Sequence, residues 1–64
     1  MMLEGVSYDI NWRKFRRGSS IFLLCLDAET ARVSVAEVFR RLQMKVLIVM
    51  EVEEGVRGLR IWRL

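Results

Sequence analysis

Lys45-Val46-Leu47-Ile48-Val49-Met50-Glu51-Val52-Glu53-Glu54-Gly55-Val56-Arg57-Gly58-Leu59-Arg60-Ile61-Trp62-Arg63-Leu64 is the stretch whose reading decides the fold. Two strongly apolar segments, 45–53 and 56–64, flank a glycine-bearing break, the pattern of a β-hairpin. Gly55-Val56 fits a two-residue type II′ turn, with glycine where the backbone needs a positive φ. Such a turn sets Val52 opposite Leu59, Met50 opposite Ile61 and Val49 opposite Trp62. It also sets Glu51 opposite Arg60 and Glu54 opposite Arg57, so that opposite charges meet. A shift by one residue loses this agreement, because it carries every side chain to the other face. One hairpin face then carries Val46, Ile48, Met50, Val52, Leu59 and Ile61. The other carries Leu47, Val49, Trp62 and Leu64, with Glu51 and Arg60 beyond them.

Working back from the hairpin, Ser34-Val35-Ala36-Glu37 reads as a capping box in which serine and glutamate satisfy each other's backbone amides. Val33 and Val38 take the two positions of a hydrophobic staple. Val35, Val38, Phe39 and Leu42 make one apolar stripe, so the pattern predicts a helix from about 35 to 43. Ser20 to Asp27 has strand length, and Ile21 to Leu26 is apolar on both sides, which predicts a central strand. Residues 6–12 alternate, with Val6, Tyr8, Ile10 and Trp12 on one side and Ser7, Asp9 and Asn11 on the other. That alternation predicts a half-buried first strand. Residues 1–64 therefore read as a single α+β domain: a small, mostly antiparallel four-stranded sheet in the order β-β-α-β-β, with one amphipathic helix packed on one face. One short helix covers one side only. The strip Leu47, Val49, Trp62 and Leu64 is left as a candidate protein interface.

Composition bounds the rest. The chain has 64 residues, 53% hydrophobic and 30% charged, with no histidine and one cysteine. That much apolar content argues against a disordered tail. The missing histidine excludes a metal–histidine site and the lone cysteine excludes a disulfide framework. The longest apolar run, Ile21 to Leu26, falls far short of the ~20 residues that span a bilayer, so no membrane partner is expected. The N-terminus lacks the cationic and apolar regions of a secretory signal, and with the unpaired cysteine this points to the cytoplasm. A chain this short buries only about 60% of its unfolded surface, so oligomerisation or docking is expected to help stabilise it.

Eleven Lys and Arg stand against eight Asp and Glu, and the sequence pI is 9.8. All the cations except Lys14 and Lys45 are arginine, whose planar fork matches phosphate and carboxylate. An arginine-rich surface also suits a thermostable protein. The densest cluster is Trp12-Arg13-Lys14-Phe15-Arg16-Arg17-Gly18, read as an exposed loop. Arg13, Lys14, Arg16 and Arg17 are candidate phosphate contacts, and Phe15 between them is a candidate platform for base stacking. Trp12 is read into the core, as the last inward residue of the first strand. Arg41 joins the candidate set because no acid is obvious beside it. Arg40, Arg57 and Arg60 have Glu37, Glu54 and Glu51 as local partners.

Cys25 lies in an apolar run and reads as a small buried hydrophobe rather than a nucleophile. Asp9, Asp27 and Glu29 match no acid–base or metal spacing, and no phosphate-cradling glycine loop is present. Neither an enzyme nor a cofactor is expected.

The run Arg32-Val33-Ser34-Val35-Ala36-Glu37-Val38-Phe39-Arg40-Arg41-Leu42 resembles the helix start of small β-grasp proteins of the ubiquitin-like sulfur-carrier type. The resemblance implies a hairpin before the helix and further strands after it. That family works through a C-terminal Gly-Gly, where this sequence has Ile61-Trp62-Arg63-Leu64. The carrier chemistry is therefore not carried over.

Two functions follow as expectations. The first is a small basic nucleic-acid-binding module, for RNA or DNA, working as a homodimer or as a subunit of a ribonucleoprotein. The second is a structural or adaptor domain that docks on a protein through the apolar sheet face.

Overall fold

In the computed structural model, which describes residues 1–3 and 5–64, a three-stranded antiparallel sheet packs against one helix. The elements are β1 (Met2–Leu3), β2 (Val6–Ser7), β3 (Ser20–Leu24), α1 (Ala28–Arg41), β4 (Val46–Glu53) and β5 (Val56–Arg63). The main sheet has the order β3-β5-β4, and β1 pairs with β2 in a separate two-stranded ribbon. Both β3 and β4 run antiparallel to β5, so they are parallel to each other, joined by α1, with β5 inserted between them. This corrects the expected four strands and the β-β-α-β-β order. Of the two strands expected before the helix, only β3 joins the main sheet, so the hairpin that the β-grasp resemblance implies there does not form.

The expected first strand, 6–12, shrinks to Val6–Ser7, and the side chain of Val6 lies outside the described atoms. Local hydrogen bonds end the extended run. The Asn11 carboxamide oxygen accepts the Arg13 amide at 3.2 Å and the Asn11 carbonyl accepts the Lys14 amide at 3.0 Å, an Asx-type turn that outcompetes a ladder.

The helix begins a whole segment earlier than the capping box implied. Asp27 is the N-cap, accepting the Thr30 amide at 3.2 Å and the Thr30 hydroxyl at 2.8 Å. Its buried stripe is Ala28, Ala31, Val35 and Phe39. Two alanines hold the first turns against the sheet, where a count of bulky residues sees no stripe. Ser34 therefore sits exposed in mid-helix, and the staple does not form because Val33 also faces water. At the other end Gln43 turns to φ 57°. Its amide bonds the Arg40 carbonyl and the Met44 amide bonds the Phe39 carbonyl, the Schellman pattern that stops a helix.

The hairpin turn is Glu54-Gly55, not Gly55-Val56. Both residues have positive φ (50° and 77°), which makes it a type I′ turn. The register accordingly moves by two residues from the expected one: Val52 faces Arg57, Met50 faces Leu59, Ile48 faces Ile61 and Leu47 faces Trp62. A two-residue shift preserves the alternation, so the two faces keep the residues assigned to them.

The core lies between α1 and one face of the sheet. Val35, Phe39, Leu59 and Ile61 are fully buried, with Leu23, Ala28, Ala31 and Cys25 around them. Each large apolar side chain buried this way contributes about 1.5–3 kcal/mol. The strand 20–27 was expected to be central. It is instead an edge, and β5 is the central strand. Its double-sided apolarity comes from Ile21 and Leu23 facing the helix while Phe22 and Leu24 face the uncovered side.

Candidate functional site

The basic loop is built around Phe15. Phe15 is only 2% exposed, its ring 5.6 Å from that of Phe39, and Trp12 packs edge-on against both rings at 6.1 and 5.8 Å. Phe15 thus plugs the open end of the helix–sheet layer. Burying one apolar residue in a charged run pushes its neighbours outward, and Arg13, Lys14, Arg16 and Arg17 are all exposed. This corrects the reading of Phe15 as a stacking platform, since its ring faces the core. Trp12, expected inside, lies on the rim and is 39% exposed.

The loop is held by its own backbone. The Gly18 amide donates to the Arg63 carbonyl at 2.8 Å, the Arg63 amide to the Ser19 carbonyl at 2.9 Å, and the Ser19 hydroxyl to the Arg16 carbonyl at 2.6 Å. The Arg63 guanidinium donates to the Phe15 carbonyl at 3.3 Å. Arg16 Nε donates to the Arg13 carbonyl at 3.2 Å, and the side chain remains exposed. Among the described residues, none of Arg13, Lys14, Arg16 and Arg17 forms an ion pair.

Arg41 is different. Its Nε lies 3.3 Å from Glu37 Oε1, and Arg40 clasps both oxygens of the same carboxylate at 2.6 and 2.9 Å. These spacings of three and four residues are ordinary helix-surface pairs. The Arg40 hydrogen bonds, with both positive charges behind them, hold the Glu37 carboxyl at about 2. Arg41 is therefore not the unpaired cation expected from sequence: its acid, Glu37, sits one helical turn back and is shared with Arg40. Arg57 is also corrected: it lies opposite Val52, away from Glu54, and forms no ion pair among the described residues.

Tertiary structure gathers these charges into poles. One end of the sheet is where β3 and β4 start and β5 finishes. The loop cations meet Arg63, Lys45 and the C-terminal turn of α1 there, with Arg40 and Arg41. The opposite end carries the hairpin turn with Glu53 and Glu54, while Asp27, Glu29 and Glu51 line one shallow depression with Arg57. Thr30 hydrogen bonds keep Asp27 below its ordinary pKa, so this end stays anionic near neutrality.

The sheet face away from α1 is open. Leu24, Leu47, Val56, Trp62 and Leu64 are exposed on it and Val49 is half-buried. At its centre Arg60 binds Glu51 at 3.2 Å, Glu53, and the Ser20 hydroxyl at 3.2 Å, and its guanidinium lies 5.1 Å from the Phe22 ring centre. Glu51, expected directly opposite, is the diagonal neighbour of Arg60 in the true register, and Glu53 was missed because it lies four residues along β4 from Val49, which faces Arg60. Both outer edges are also capped. Tyr8 donates its hydroxyl to the Leu24 carbonyl at 2.6 Å on β3, and Arg32 donates to the Ile48 carbonyl at 3.0 Å on β4. No sequence signal pairs a helix arginine with one particular edge carbonyl.

Among the described residues no helix is long and apolar enough to cross a membrane. No protein-family model, curated protein or solved structure matches the chain.

Proposed function

We propose that the chain is a small, non-enzymatic nucleic-acid-binding module of the cytoplasm that holds its ligand through phosphate contacts from Arg13, Lys14, Arg16 and Arg17. The observation that carries this reading is a hydrogen-bonded loop whose four exposed cations have no ion-pair partner among the described residues, at the basic pole. Free guanidinium and ammonium groups on a braced loop meet a polyanion without first breaking internal pairs or ordering a chain. Arg63 and Lys45 extend the same field, while Arg40 and Arg41 contribute less because Glu37 offsets them.

Anisotropy titration of labelled single- and double-stranded RNA and DNA at rising salt tests the reading. Four phosphate contacts predict a log–log salt slope of about −3. Changing Arg13, Lys14, Arg16 and Arg17 to serine should remove most of the affinity and flatten the slope. Binding that is absent, or indifferent to salt, overturns the proposal.

A second reading, an adaptor domain that docks on protein, draws on the open apolar sheet face. The same four-serine variant separates them, because an adaptor keeps its assembly when those cations are gone.

A further inference from the structure

The open face has a pattern as well as an exposure. By strand alternation it carries Leu47, Val49, Glu51 and Glu53 along β4, and Trp62, Arg60, Gly58 and Val56 beside them along β5, and the Leu64 amide bonded to the Lys45 carbonyl at 3.0 Å continues the same pairing to Lys45 and Leu64 just beyond the strands. Its basic residue, Lys45, is at one end; at the other Glu51 and Glu53 share the single cation Arg60, which leaves that end one negative charge in excess. Between them lies the apolar strip, with Trp62 still 40% and Leu64 60% exposed.

We propose that this face seats a second copy of the chain, related by a two-fold axis running across the strands, so that the acidic end of each sheet covers the basic end of the other. Two isologous face-to-face arrangements exist for such a sheet. An axis along the strands stacks the Glu51–Glu53 end of one copy on the same end of its partner, and like charges repel. An axis across the strands, passing over the row Phe22, Arg60 and Val49, exchanges positions equally far from that row. Lys45 and Glu53 are equally spaced about Val49, so each Lys45 meets the partner's Glu53. Trp62 and Gly58 are equally spaced about Arg60, so each indole lies over the partner's Gly58. Glycine there has no side chain, and the Phe22 ring supplies an apolar floor. Arg60 enters the interface already satisfied by Glu51, Glu53 and Ser20, so closing the face leaves no unpaired charge. The loop cations 13–17 lie beyond the sheet end, so this inference stands apart from the nucleic-acid reading.

Sedimentation equilibrium on the intact chain tests it. The expected species is a dimer, twice the 7.6 kDa chain mass. Leu47→Ser and Trp62→Ser should each weaken dimerisation at least about tenfold while far-UV circular dichroism shows the fold retained. Lys45→Glu and Glu53→Lys should each weaken it, and the double variant should regain part of the loss, because the reversed charges meet again only across this axis while Arg60 keeps Glu51 alone. Should Trp62→Ser unfold the chain, Leu47→Ser and the charge reversals decide the matter. A monomer at about 200 µM, a dimer indifferent to Leu47→Ser and the charge reversals, or reversals that add without rescue overturns the proposal. The four-serine loop variant should dimerise as the parent does, so failure of either proposal is distinguishable from failure of the other.

Discussion

The ring of Phe22 lies in the space that a side chain on Gly58 would occupy. A Cβ built there would sit 2.6 Å from Phe22 Cζ and 2.4 Å from the Leu23 carbonyl oxygen. The ring can swing away but the backbone oxygen cannot, because β3 is hydrogen-bonded to β5 at that position. Gly58→Ala should therefore cost about 2–3 kcal/mol, a drop of roughly 10–20 °C in Tm for a domain this small. Thermal denaturation followed by circular dichroism measures it, and an unchanged Tm would show that the close approach is not maintained in solution.

Phe15 should behave as a core residue and its charged neighbours as surface. Phe15→Ala should cost about 3–5 kcal/mol, enough to unfold a marginal chain, and Phe15→Leu markedly less. Single serine substitutions at Arg13, Lys14, Arg16 or Arg17 should stay within about 0.5 kcal/mol of the parent. Urea unfolding of the series distinguishes this from a loop in which aromatic and cations alike face solvent.

The two competing helix starts make opposite predictions. With Asp27 as the N-cap, Asp27→Ala should lose about 1 kcal/mol, whereas Ser34→Ala, in mid-helix and exposed, should be neutral or slightly stabilising. Equal losses at both sites would contradict the helix boundary.

Acid should act through Glu37. Its carboxyl is lowered from 4.5 to about 2 by Arg40 and Arg41 in the folded chain, so the folded state binds that proton less readily than the unfolded one. The stabilisation is complete above the unfolded value and is lost as pH falls through 4.5 toward 2. Because the cluster is exposed, the effect should be small and screened by salt. The decline in Tm below pH 4.5 should be shallower in Glu37→Gln than in the parent, and identical slopes would show the carboxylate uninvolved.

Glu54 holds φ 50°, a conformation that costs a side-chain-bearing residue energy. Glu54→Asn should raise stability by about 0.5–1 kcal/mol, since asparagine tolerates a type I′ turn better. A neutral or destabilising result in chemical denaturation would argue against that turn type.

The parts of the molecule legible in the sequence are those set by nearest neighbours. The alternation along 45–53 and 56–64 assigned each hairpin residue to its face, and even a two-residue error in the turn left those faces intact. Glu37 beside Arg40 was visible as a helix-surface pair. The helix start was misread because Ser34 and Asp27 both offer a cap and only packing chooses between them. Ala28 and Ala31 fit closely against the sheet, and that contact extends the helix back to Asp27. Small residues that let a helix approach a sheet look unremarkable in a hydrophobicity pattern.

What the amino-acid order determined by itself was the apolar hairpin, the amphipathic character of α1 and the run of cations at 13–17. Tertiary structure alone decided that β5 enters between β3 and β4, that Phe15 turns inward, and that Glu53 reaches Arg60. It alone also separated the acidic and basic ends. The reason is that local pattern records which way a side chain faces, at intervals of two or about four residues. Which distant segment meets it depends on how the whole chain closes around the core formed by Val35, Phe39, Leu59 and Ile61.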